Sequence, residues 1–121
     1  MGIRTLGQIH SEFALKKVME NINLKSLKSF SAGAPSMILQ NGFGQTLAFW
    51  AAKGKEEHNA LMQLVMEWFN ENNSKFHSDS KEEFLQKISE SSQNEYFNAQ
   101  QEVLHLLEWV KRYANAFIED N

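Results

Sequence analysis

The segment MILQNGFGQTLAFW, residues 37–50, sets two glycines two positions apart between apolar runs. After a strand, such a pair would open a phosphate-binding loop and imply an α/β protein; after a helix, it turns a corner. Pro35, just upstream, suits the first turn of a helix, where its missing N–H is not needed. Asn41-Gly42 then acts as a stop, because glycine takes the left-handed conformation at a helix end without steric cost. Leu47, Ala48, Trp50 and Ala51 resume as a second helix towards Gly54, another stop. The dinucleotide fingerprint wants a third glycine where Leu47 stands, and the Walker pattern wants Gly-Lys-Ser/Thr, which does not follow. The segment is a corner between helices.

Outward from this corner the helical signal recurs. Tyr96, Ala99, Val103, Leu106, Val110, Tyr113 and Phe117 are spaced alternately by three and four, which places them on one stripe. Ser92 with Glu95 makes a capping box at its start, and Ser80 with Glu83 makes another before Phe84, Leu85 and Ile88. Leu61, Leu64, Val65, Trp68 and Phe69 share a broad apolar face, followed by a polar link, NENNSKFHSDS (residues 70–80). Near the N-terminus Ile3, Leu6, Ile9 and Phe13 share one face, while Leu15, Val18 and Ile22 lie almost opposite. The helix either breaks near Ala14 or is covered on two sides. Lys16 and Lys17 point away from the Leu15/Val18/Ile22 face and are expected to meet water or a partner. No run alternates in the manner of a strand. The expected fold is all-α, a compact bundle of five to six helices in one domain spanning residues 1–121.

Composition narrows the function. The 121 residues contain no cysteine, which removes disulfides, thiolate metal sites and cysteine nucleophiles. No apolar run approaches a membrane span and no signal segment opens the chain, so a cytoplasmic protein without membrane contact is expected. His10, His58, His77 and His105 lie in separate segments with no His-x-x-x-His spacing. Glu102-x-x-His105 has half of a di-iron pattern, but no second such pair exists. No serine occupies a nucleophile elbow. No metal, cofactor or catalytic residue is expected, and the chain is not read as an enzyme.

Binding remains. Residues 1–55 hold seven Lys and Arg against two Glu, while residues 56–121 hold five against thirteen Asp and Glu. The basic half suits a polyanion and the acidic half a neighbouring protein. Phosphates are held by Lys and Arg, assisted by amide side chains. The candidates are Lys16, Lys17, Lys25, Lys28, Lys53 and Lys55, with Asn41 and Gln45 at the corner. Backbone N–H groups near Gly44, at a helix start, could add to them. Phe43, Phe49 and Trp50 could stack on bases, although their helical spacing also suits a core.

Three blocks, RTLGQIHSEFALKKV (4–18), APSMILQNGFGQTLAFWAAKGK (34–55) and LHLLEWVKRYANAF (104–117), resemble the small α-helical subunit of the type III-B, Cmr-type CRISPR effector complex. The central pattern is carried by Pro35, Met37, Ile38, Asn41, Gly42, Gly44, Gln45, Leu47, Ala48 and Phe49. The C-terminal pattern is carried by Trp109, Lys111, Arg112, Tyr113 and Ala114. The resemblance implies a non-catalytic helical subunit that stacks in copies inside an RNA-guided complex. Its implied partners are guide RNA and target RNA through their backbones, the large polymerase-like subunit, the backbone subunits and further copies of itself. Lys111 and Arg112 thereby join the RNA-contact candidates. A purely protein–protein spacer, with RNA held by neighbours, is the alternative.

Overall fold

The computed structural model describes residues 2–120, apart from the side chain of Ser74. They form six α-helices: α1 (Leu6–Glu20), α2 (Ser26–Asn41), α3 (Phe43–Lys53), α4 (Glu56–Asn72), α5 (Lys81–Glu90) and α6 (Gln93–Phe117). A 3₁₀ turn, Ser74–Phe76, lies between α4 and α5. No strand occurs among the described residues, in agreement with the all-α expectation.

The 25-residue α6, about 37 Å long at 1.5 Å per residue, is the element against which α1 and α2 pack. It begins at the expected capping box. Ser92 Oγ accepts from the Glu95 N–H at 3.2 Å, and Glu95 Oε1 accepts from the Ser92 N–H at 2.8 Å. Its stripe buries Ala99, Val103, Leu106 and Val110, widened by Leu107 and Ala114. At α5 only half of the expected box forms. Ser80 Oγ caps the Glu83 N–H, but the Glu83 carboxylate accepts from the Asp79 N–H, one residue upstream.

α1 does not break at Ala14. It is capped by a reciprocal Thr5–Gln8 box and buries His10, Phe13, Ala14, Lys17 and Val18, the spacing of one helical face. Lys17 therefore departs from expectation: it is 6% exposed. It lies one turn beyond Phe13, so its stem shares the buried stripe while its ammonium reaches a rim of carboxylates. Nζ is 3.0 Å from Glu67 and 3.3 Å from Glu20, and it sits 5.3 Å from the centre of the Phe13 ring.

Pro35 also departs from expectation. It is the tenth residue of α2, not part of its first turn. Burial of Leu27, Ala34, Pro35 and Ile38 carries the helix through the proline, whose missing N–H leaves the Ser31 carbonyl without its usual helical donor. The link after α4 is more than a polar tether. Phe76 is buried with its ring 5.5 Å from Phe69, and Asn70 holds Ser78 through two backbone hydrogen bonds. Trp50, Trp68, Phe43, Phe69 and Phe84 are the largest fully buried side chains, drawn from three helices.

Candidate nucleic-acid interface

The α2–α3 corner is built on Gly42, which ends one helix and caps the next with φ 87° and ψ 159°. This is not the left-handed helical region foreseen from the sequence but an extended positive-φ conformation essentially confined to glycine. Gly54, closing α3 at φ 66° and ψ 13°, does take the left-handed form. Just past Gly42, the first N–H groups of α3 are already bonded. Phe43 N–H donates to Gln100 Oε1 at 3.1 Å, and Gly44 N–H donates to Tyr96 Oη at 2.8 Å. The expectation that these groups could meet a phosphate is thus corrected, because α6 satisfies them from the side.

What the corner presents outward is a side-chain surface. Met37, Asn41, Gln45, Thr46 and Phe49 line a cleft of about 400 Å³. Thr46 Oγ1 donates to the Met37 carbonyl at 3.1 Å, fixing the end of α2 to the first turn of α3. Asn41 and Gln45 are exposed, and neither amide is bonded to protein among the described residues. Gln45, Phe49 and Lys53 follow one another at four-residue intervals, so amide, ring and ammonium rise along one face of α3. Of the three aromatics considered for stacking, Phe43 and Trp50 belong to the core, whereas Phe49 is 48% exposed.

The remaining candidates do not gather at this corner. Lys25 and Lys28 pair with the end of the chain, 3.8 Å from Glu119 and 2.9 Å from Asp120. Together with Lys17–Glu67, these pairs join the basic half of the sequence to the acidic half within one molecule. Lys16 is exposed on α1 beside Arg4 and Glu71, on a separate shallow surface. Lys111 and Arg112 lie on α6, half-buried and exposed respectively. Lys53 and Lys55 are exposed, and no carboxylate lies within 4.0 Å of either ammonium among the described residues.

Two of the four histidines, His10 and His58, are buried, and His77 and His105 are exposed. Glu102, half of the di-iron pattern, accepts from Trp68 Nε1 at 2.9 Å, while His105 is exposed. No group of three or more metal-ligating side chains forms among the described residues. His10 packs 4.7 Å from the Trp68 ring and His58 packs 4.2 Å from the Phe30 ring. His10 Nε2 and His58 Nδ1 are buried without hydrogen-bond partners. Burial lowers both imidazole pKa values below 6.5. Glu102 opposes the shift at His10 and His105 adds to it; at His58, Glu57 opposes it while Lys53 and Lys55 add to it. With folded values below the unfolded one, the unfolded chain binds more protons just under pH 6.5. Stability present above that pH is therefore lost as pH falls towards the folded values, at up to about 1.4 kcal/mol per pH unit for each group. Urea unfolding at pH 7.5 and 5.5 is expected to show the loss. His58→Phe should reduce it, and an unchanged pH dependence in that variant would refute the assignment.

A family model described as CRISPR-associated protein (Cas_Cmr5) matches residues 6–117, from the start of α1 to the end of α6. The chain belongs to the Cmr5 family. It is similar to the CRISPR system Cmr subunit Cmr5 of Thermus thermophilus, 29% identical over 98% of this chain and 100% of the relative. It also resembles the crystal structure of a CRISPR-associated Cmr5 family protein from the same organism, at a TM-score of 0.81 and 28% identity. That likeness covers 97% of this chain and 100% of the other. The Cmr5 family match thus spans all six helices. No helix among the described residues is long and apolar enough to cross a membrane.

Within this Cmr5-family chain, residue types pointed to Asn41, Gln45 and Lys53 but left Phe49 undecided and gave no reason to place Met37 and Thr46 in the lining. Two signals were available. Gln45, Phe49 and Lys53 have helical spacing, and no Asp or Glu occurs between Glu20 and Glu56, so neither helix of the corner carries a carboxylate.

Proposed function

We propose that the chain is the non-catalytic small subunit of a type III-B CRISPR effector complex. It stacks in copies along the interior and supports the guide RNA–target RNA duplex through sequence-independent backbone contacts. The observation that carries this reading is the end-to-end likeness to a protein named as a Cmr subunit, over 98% of this chain. The absence of carboxylates from α2 and α3, with exposed Lys53 at the far end of α3 and Lys55 just beyond it, supports the RNA side of the reading. Lys16, Lys111 and Arg112 are further contacts on other faces. Co-purification with other effector subunits and a guide RNA tests the assembly. For RNA contact, Lys53→Ala combined with Lys55→Ala is expected to weaken binding equally across sequences. The slope of log affinity against log salt should fall by roughly 0.7–0.9 for each phosphate that is no longer neutralised. Wild-type affinity and slope in a folded double variant would remove these lysines from the contact set.

The second reading is a protein–protein spacer. It is favoured by the internal pairing of Lys17, Lys25 and Lys28 and by the exposure of Leu6, Phe97 and Phe117. RNA crosslinks in the assembled complex that fall only on other subunits would select it.

A further inference from the structure

We infer that the cleft at the α2–α3 corner takes one unpaired nucleobase of an RNA strand, with the base on Phe49, its edge against Asn41 and Gln45, and its phosphate towards Lys53. This rests on the RNA-contact reading above and goes beyond it, since backbone contact alone requires no base site.

Four observations converge. The cleft, about 400 Å³ and half open to solvent, is matched in size by others on the surface and is distinguished by its lining, an exposed ring between two amides. Its wall includes a half-exposed phenyl ring at the surface of a helix that buries its other aromatics, Phe43 and Trp50. A base stacks on such a ring whatever its identity, because every base has a π-face. The two amides beside it have no intramolecular partner among the described residues, and each offers both donors and an acceptor. Such groups accommodate the donor and acceptor pattern of any base edge, which suits a subunit that does not read sequence. Finally, α2 and α3 contain no carboxylate of their own, and Lys53 stands one turn beyond Phe49, about 6 Å along the axis, so these two helices offer an anion positive charge. The carboxylate facing them from α4 is Glu57, 3.6 Å from His58, whose ring is 5.9 Å from that of Phe49. A protein segment would find the same ring and the Met37 side chain, but only a polyanion would also use Lys53.

The experiment uses the full chain and three fluorescent probes of equal length at low salt. They are a single-stranded RNA, the same strand with its bases removed to leave an abasic backbone, and an RNA duplex. The wild-type protein is expected to bind the natural single strand at least about fivefold tighter than the abasic one. Phe49→Ala should bring that ratio close to one while leaving duplex affinity unchanged. Phe49→Tyr, which keeps the ring face, should preserve the ratio, and this controls for a merely structural effect. Lys53→Ala should weaken the natural and abasic strands alike. If the wild type binds natural and abasic strands equally, or Phe49→Ala keeps the preference, the base site is overturned and the backbone reading stands. If none of the three probes binds, both fall together.

Discussion

Replacing Trp68 with alanine is expected to cost about 3–5 kcal/mol of folding stability, the range for removing a large buried aromatic. Trp68 is 1% exposed and joins three helices. From α4 its ring lies 4.7 Å from His10 and 5.2 Å from Phe13 of α1, and its Nε1–H donates to Glu102 of α6 at 2.9 Å. Truncation opens a cavity at the centre of this junction and leaves a half-buried carboxylate without its donor. A loss of that size is a large part of the roughly 5–15 kcal/mol by which domains are usually stable. Trp68→Phe separates the two contributions. It retains most of the ring but not the N–H, and about 1–2 kcal/mol is expected. Urea unfolding followed by circular dichroism measures both. A Trp68→Ala protein within about 1 kcal/mol of wild type would mean that α4 stays docked on α1 and α6 without this junction.

The second large effect is expected at the corner itself. Gly42→Ala forces a Cβ-bearing residue into φ 87° and ψ 159°, at a cost of about 1–3 kcal/mol. Space is not the obstacle, since an added Cβ would lie 3.7 Å from Tyr96 Oη, an ordinary contact. Conformation is. Gly44 supplies the contrast, because it sits in the first turn of α3 with helical geometry. There an added Cβ would meet Tyr96 Oη at 3.4 Å, while the helix gains roughly 1 kcal/mol from losing a glycine. Gly44→Ala is therefore expected to be close to neutral. The comparison is read from the unfolding midpoints of the two variants side by side. Equal losses would show that the turn relaxes and that its backbone conformation does not hold the fold.

Both effects depend on pairings across the molecule, and this marks what the sequence could disclose. The helix in residues 93–117 was legible because its signals are local: a cap at Ser92, an acid three residues on, and apolar groups every three or four positions. Gly42 and Gly54 were legible as stops for the same reason. The course of α1 was not, since Leu15 and Val18 look equally apolar until neighbouring helices decide which is covered. Lys17 was misplaced on similar grounds. Charge predicts solvent, and only Glu20 and Glu67 at the rim make its partial burial favourable. Burial lowers its pKa, but hydrogen bonds and charges from those two carboxylates outweigh that and raise it. Pro35 shows propensity yielding to tertiary burial.

For the candidate site the division is sharper. Residue types alone placed the two amides at the corner and the lysines in the basic half of the chain, because both are properties of the local order of residues. Which aromatic remained outside was settled by packing: the fold surrounds Phe43 and Trp50 and leaves Phe49 at the surface. Likewise, the N–H groups at the start of α3 became unavailable only when α6 brought Tyr96 and Gln100 beside them, from positions 52 and 57 residues away in sequence. Periodicity and capping act over one or two helical turns and are written in the local order of residues. Exposure, charge pairing and the fate of a free N–H depend on which distant surfaces meet, and the helices had to be assembled before those were fixed.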